Sequence, residues 1–280
     1  VIDISRLTVL TDLDGTLLPA TKQIPDEDIA VIRRFQAAGG RFTIATGRTL
    51  EAALPYLDLV RPNAPAILYN GAMIYDHSRQ AVVRTKTLPA NAEEYLRRIL
   101  SLEGLDIGAE ILCADGTYVV QMNDTEAHHI SVCGVTPHHT TLADMKKDGW
   151  LKILFALEPE QVDRLITLVS DMDFPGVTFV RSERIFLEML PAGVSKGETL
   201  ASDRARFTND SGILIGAGDF HNDLELITAA DVGICPSNAQ PVVKESASLI
   251  LEDSCNDHAI ARFLERLLAG ETFGLSLSVN

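Results

Sequence analysis

Leu7-Thr8-Val9-Leu10-Thr11 runs straight into Asp12-Leu13-Asp14-Gly15-Thr16, so an apolar, β-branched pentapeptide gives way to acid and glycine within one residue. Such a run bounded by a turn signal predicts a short strand buried on both faces. Downstream, Pro25 near a first turn, Ile29, Ile32 and Phe35 on one face, and Gly39-Gly40 at the end mark an amphipathic helix. Arg41-Phe42-Thr43-Ile44-Ala45 reads as a second strand ending at Thr46-Gly47-Arg48, and Ala66-Ile67-Leu68-Tyr69 before Asn70-Gly71 as a third. Strand, helix and strand at this spacing form a βαβ unit, which implies a parallel sheet.

The pattern changes after about residue 85. Ile107–Cys113 and Thr117–Met122 flank Asp115-Gly116, a strong hairpin signal. Leu151–Leu157 reads as a strand, Val162, Leu165, Ile166 and Val169 as a helix after Pro159, and Val177–Val180 with Arg184–Leu190 as an antiparallel pair. Parallel character returns in Gly212–Gly218, which runs into Asp219, then in Val232–Ile234 and Leu249–Leu251, before a closing helix through Ile260, Phe263, Leu264 and Leu267. The expected fold class is α/β: an open, Rossmann-like parallel-sheet core of residues 1–84 and 190–280, with an α+β cap inserted over residues 85–189.

The 280 residues carry 24 Lys plus Arg against 39 Asp plus Glu, a formal charge of −15. Such a surface repels nucleic acid and anionic lipid, which excludes both as partners, and any anion site must be made positive locally. Cys113, Cys133, Cys235 and Cys255 form no close-spaced metal pair and no disulfide framework, so reduced thiols and a cytoplasmic location are expected. No apolar run reaches membrane-spanning length, and the opening residues have neither a basic region nor a long apolar one. A monomer or weak homodimer is expected.

Ligands of open parallel sheets bind at the carboxyl ends of strands. Three polar clusters fall there: Asp12–Thr16, Thr46–Arg48 and Gly218-Asp219-Phe220-His221-Asn222-Asp223; Lys196, in Gly193–Gly197, precedes a helix. Bringing Asp12, Asp14, Asp219 and Asp223 together is costly by repulsion and desolvation, and a hard divalent cation such as Mg²⁺ offsets that cost. Two or more of the four therefore read as metal ligands. Lys196 adds positive charge for phosphoryl oxygens, and Thr46, with the neighbouring backbone N–H groups at Gly47, adds hydrogen-bond donors. An Asp can serve as nucleophile toward phosphorus, with Asp14, two residues on, as acid and base.

Asp12-x-Asp14-Gly15-Thr16, Thr46, Lys196 and Gly218-Asp219-x-x-Asn222-Asp223 resemble, in order, the four motifs of the haloacid dehalogenase superfamily. The position of the insert is similar to that of the Cof-like branch, which carries an α/β cap. The resemblance implies a Mg²⁺-dependent phosphatase acting on a small phosphomonoester through an aspartyl phosphate. Asp12 would be nucleophile and metal ligand, and Asp14 acid/base and a ligand through its backbone carbonyl. Thr46 and Lys196 would hold phosphoryl oxygens, Asn222 would lie near the phosphate, Asp219 would bind the metal, and Asp223 would act behind it or through water. Ser237-Asn238-Ala239 is similar to sucrose-phosphatase-like relatives and favours a sugar phosphate. A sugar phosphomutase with the same nucleophile and a non-catalytic sensor of phosphorylated ligands are the alternatives.

Ordinary readings compete with these roles. Asp12 and Asp14 alone could be a solvated turn, Lys196 a surface lysine, and Asp223 a helix-start acid favoured by the dipole. His128-His129 and His138-His139 read as exposed cap residues, and Trp150 as core. Asn70, Arg181 and Glu188 are candidate substrate contacts.

Overall fold

The chain from Leu7 to Thr11 is strand β1, wholly buried because it has a parallel neighbour on each side. The computed structural model describes residues 2–208 and 212–274. After β1 come α1 (Asp26–Ala37), β2 (Arg41–Ile44), α2 (Leu50–Val60), β3 (Ala66–Leu68), β4 (Met73–Asp76) and β5 (Ala81–Thr85). The insert holds α3 (Ala92–Leu100), β6 (Gly108–Cys113), β7 (Gly116–Gln121), α4 (Asp124–Cys133), β8 (His138–His139), β9 (Trp150–Ala156), α5 (Pro159–Ser170), β10 (Val177–Glu183) and β11 (Phe186–Pro191). The chain continues with α6 (Lys196–Ser202), α7 (Arg204–Phe207), β12 (Ile213–Ala217), α8 (Leu224–Ala229), β13 (Val232–Cys235), α9 (Pro241–Ser246), β14 (Leu249–Ile250) and α10 (Ala259–Leu268). No helix among the described residues is long and apolar enough to cross a membrane.

Two compact units result: one from the residues up to Gly47, Ala53–Arg84 and those from Ser195 onward, the other from Arg48–Ala52 and Thr85–Val194. The first contains a five-stranded parallel sheet in the order β14-β13-β12-β1-β2. Among the described residues the third expected strand pairs with this sheet through one isolated bridge, Ala45 to Ile67, and joins β4 and β5 in a separate three-stranded sheet. Leu10, Ala45, Ile67, Leu200, Phe207, Leu214 and Leu226 share one apolar cluster, which holds strands and helices in register.

The second unit is built on a six-stranded sheet, β10-β11-β9-β6-β7-β8, antiparallel except where β8 joins β7. Side chains alternate across it. Ala109, Ile111, Ile153, Phe155, Leu187 and Met189 share a core with Tyr95, Leu96 and Ile99 of α3 and Val162, Leu165 and Val169 of α5. Trp150 is buried in that core and donates its indole N–H to Lys146 O at 2.6 Å. The opposite face carries Glu110, Lys152, Leu154 and Glu188, with Glu110 and Glu188 both opposite Leu154. The two ends of the inserted segment meet, since Lys86 Nζ donates to Ala192 O at 2.7 Å.

Two expectations shift. The hairpin turn is Ala114-Asp115, because Cys113 pairs with Gly116, which is already in β7. Of the histidines expected to be exposed, His128 on helix α4 is, but His129 is half-buried, with Nε2 3.5 Å from Glu110 and its ring edge-on to Phe186.

Glu110 has a second neighbour, Glu126 of α4, which is fully buried. Neither carboxyl oxygen of Glu126 meets a donor among the described residues. Burial, then the Glu110 charge, push its pKa up to about 9. The pair is comfortable only when a proton sits between the two carboxyls. The unfolded carboxyl loses its proton near 4.5 and the folded one near 9, so stability falls as pH rises through that window. Glu126→Gln replaces the shared proton with an amide donor, and it should stabilise the protein by about 3 kcal/mol at pH 7. At pH 4 variant and parent should be level. Urea melts at both pH values check this, and equal stability at pH 7 would remove the buried acid from the account.

Candidate active site

Asp12 is the first residue beyond β1, and its backbone N–H donates to Ala217 O at 2.8 Å, so the ends of β1 and β12 are laced together. The chain then turns back, with Leu17 N–H donating to Asp12 O at 3.3 Å and Leu18 N–H to Leu13 O at 2.7 Å. Gly15 makes the turn at φ +76°, where a Cβ would stand 2.5 Å from Asp219 Oδ2. Only glycine combines that backbone with that approach. Thr16 Oγ1 donates to Asp219 Oδ1 at 2.7 Å, so the turn after β1 orients the acid after β12.

Lys196 opens α6, capped by Ser195, whose hydroxyl accepts from Glu198 N–H at 3.0 Å. Its side chain is completely buried, and Nζ donates to Asp12 Oδ1 and to Asp223 Oδ1, each at 2.6 Å. The surface-lysine reading is therefore overturned. Asp223 Oδ2 accepts from the backbone N–H of Asp219 at 3.0 Å and of Phe220 at 3.2 Å. Both Asp223 oxygens are thus engaged, making this residue a brace between Lys196 and the loop that carries Asp219.

One ammonium faces three carboxylates. Asp12, Asp219 and Asp223 each offer an oxygen within 4.8 Å of the others; Asp12 and Asp223 are buried and Asp219 is half-buried. Burial drives the Asp12 pKa well above the carboxylate range; Lys196 opposes this, and the charges of Asp223, Asp219 and Asp14 add to it. Asp219 is pushed up to about 7 by burial and Asp223, against the Thr16 bond and Lys196. Burial works against the Lys196 charge, but Asp12 and Asp223 outweigh it and push its pKa up. A Lys–Asp pair alone would lower the Asp; here one positive charge is shared between two acids and leaves negative charge in excess. An all-oxygen donor set with surplus negative charge fits a hard divalent cation. The group can therefore hold a metal ion.

The remaining expected residues are placed as follows. Thr46 is buried, and its N–H donates to Ile67 O at 2.8 Å while its carbonyl accepts from Asn70 N–H at 3.1 Å. Asn222 Nδ2 donates to Asn70 Oδ1 at 3.0 Å. Asp14 does not join the three carboxylates; its Oδ1 accepts from Lys22 Nζ at 2.6 Å. Arg181 and Glu188 belong to the other unit. There the Arg181 guanidinium bonds Asp163 at 2.5 Å and the carbonyls of Glu183 and Arg184. Glu188 accepts from Lys152 at 2.8 Å, both buried. Asn238 Nδ2 donates to Gly15 O at 2.8 Å, and its Oδ1 accepts from Cys255 N–H at 2.8 Å. Sequence reasoning missed Thr16 as an orienting hydroxyl, Lys22 as the partner of Asp14, and Asn238 as a stitch across three loops. Thr16 and Asn238 stand in stretches the sequence marks, but their partners lie 203 and 223 residues away along the chain, and Lys22 sits in no local pattern that marks it.

Residues 9–264 match the family of haloacid dehalogenase-like hydrolases. The chain belongs to that family. It is similar to the HMP-PP phosphatase of Serratia proteamaculans, 28% identical over 92% of this chain and 93% of that one. It is also similar to the pyridoxal phosphate phosphatase of Escherichia coli, 24% identical over 91% and 96%. The crystal structure of a haloacid dehalogenase-like hydrolase from Bacteroides thetaiotaomicron superposes with a TM-score of 0.79 over 94% of this chain and 99% of that one, at 23% identity, so the fold is the same.

Proposed function

We propose that this hydrolase cleaves the phosphomonoester bond of a small phosphorylated metabolite, using Asp12 as nucleophile and Mg²⁺ as cofactor. The observation that carries the reading is the fully buried Lys196 ammonium, 2.6 Å from Asp12 and from Asp223, inside a carboxylate group with surplus negative charge. A buried lysine aimed at a buried acid at a strand end is costly to build for stability alone.

Lys196 holds Asp12 Oδ1, which leaves Oδ2 as the attacking oxygen. Asp12 attacks phosphorus, the bond from phosphorus to the ester oxygen breaks, and Asp14 gives its proton to the departing alcohol. Asp14, now ionised, takes a proton from water; that water attacks the aspartyl phosphate, releasing inorganic phosphate and restoring the Asp12 carboxylate. Thr46, the Gly47 N–H, Lys196 and Asn222 hold the phosphoryl oxygens. The Asp12 and Asp219 carboxylates and the Asp14 carbonyl, with Asp223 bracing, would hold Mg²⁺, which when bound would supply positive charge to keep Asp12 ionised and let the anions approach.

The Ser237-Asn238-Ala239 stretch favours a sugar phosphate by resemblance, but Asn238 is occupied with Gly15 and Cys255 and carries no substrate information. The names of the two relatives add pyridoxal phosphate and HMP-PP to the panel beside sugar phosphates and nucleotides. Phosphate release over that panel should require Mg²⁺, fall below about 1% of its rate with EDTA, and return when Mg²⁺ is restored. Full turnover in chelator would refute the metal, and dependence on an added bisphosphate activator would instead indicate a mutase.

A further inference from the structure

Tyr69, Asn70 and Gly71 follow β3 with φ of +51°, +52° and +107°, three successive left-handed residues, all buried. A tyrosine in that region is strained, and two successive non-glycine residues there persist only where the surroundings demand it. The surroundings are the loops just described. Asn70 N–H holds the Thr46 carbonyl at 3.1 Å. The Asn70 amide lies against Gly47, where a Cβ would stand 2.9 Å from Nδ2. Asn70 Oδ1 takes the Asn222 amide at 3.0 Å. Gly71 O accepts from Thr199 Oγ1 at 2.9 Å, and a Cβ at Gly71 would lie 2.3 Å from Ser195 O, the residue that caps the helix of Lys196.

We propose that Asn70 is a positioning residue: its side chain sets the Asn222 amide and the Thr46–Gly47 peptide against each other so that both donate to one phosphoryl group. This rests on the phosphoryl-transfer reading above, and it replaces the expectation that Asn70 itself contacts substrate. A turn needing only left-handed backbone would be served by glycine at position 70. The amide is retained because its oxygen reaches a loop 152 residues away in sequence.

Asn70→Gly separates the two demands, since glycine keeps the backbone and removes the amide. The variant should melt at the temperature of the parent. With Mg²⁺ present, kcat/KM should fall about 30-fold and inorganic phosphate should bind about tenfold more weakly by calorimetry, the order of loss that misplacing a catalytic donor produces. Asn222→Ala should show a similar loss, and adding Asn70→Gly to it should cost nothing more. Losses that add in the double variant, or a lowered melting temperature with kcat/KM and phosphate affinity intact, would overturn the proposal and leave Asn70 a turn residue. If the parent released phosphate from no ester, the reaction reading would fall, while phosphate affinity in the same cycle would still decide the role of Asn70.

Discussion

Asp12→Asn should abolish phosphate release, by at least about 10⁴-fold in kcat, while the protein folds and melts at or above the temperature of the parent. The two halves of this expectation have different causes. An amide oxygen cannot form the acyl phosphate, so loss of turnover follows from chemistry. Folding survives because the amide has the shape of the acid, still offers Lys196 Nζ an acceptor at the Oδ1 position, and removes one of three crowded carboxylates. Burial already holds the Asp12 acid above its ordinary pKa, so the neutral amide mimics a state the metal-free pocket favours. Phosphate release and a thermal melt test both halves. Turnover within tenfold of the parent would sink the nucleophile assignment.

Lys196→Met should act in the opposite sense on stability. The side chain is completely buried and donates to two buried acids, so its removal leaves Asp12 and Asp223 without their shared cation. Breaking a buried pair in this way costs about 3–5 kcal/mol. The deficit should be larger at pH 8 than at pH 5, because burial already holds the Asp12 acid high, loss of the ammonium raises it further, and an Asp12 that has taken up a proton no longer needs a cation beside it. Added Mg²⁺ should recover part of it at pH 8, and activity should be lost at every pH. Urea melts at pH 5 and pH 8 decide the matter; a variant as stable as the parent at pH 8 would mean that the pair contributes nothing.

The strands that carry the site were legible because each is a short apolar run that stops at a polar residue, as at Thr11-Asp12, Ile44 to Thr46 and Ala217 to Asp219. A buried parallel strand needs no partner identified to be recognised. Lys196 was legible from its order along the chain, but its burial was not, since nothing local distinguishes a buried lysine from an exposed one at the first position of a helix. Helix α2 went unread because Pro55 lies inside it, and β5 because it is largely exposed and lacks an alternating apolar pattern. The Glu110–Glu126 acid pair and the Asn70–Asn222 contact depend on register and on left-handed backbone, which no window of neighbouring residues encodes.

The bond between Lys86 and Ala192 bears on how the nascent chain matures. Strand β1 cannot acquire its neighbour β12 until translation has passed Ala217, and Leu7 must then find Ile213. Threading that search through a slack loop would be slow and would leave a sticky strand edge open to other chains. The intervening segment carries its own apolar core, and once collapsed it draws residue 86 against residue 192, so the diffusing loop shortens by about half, to the roughly one hundred residues outside it. Mutations that loosen that segment should therefore lengthen the time to maturity and raise dependence on chaperones, even where they touch no residue around Asp12 and Lys196.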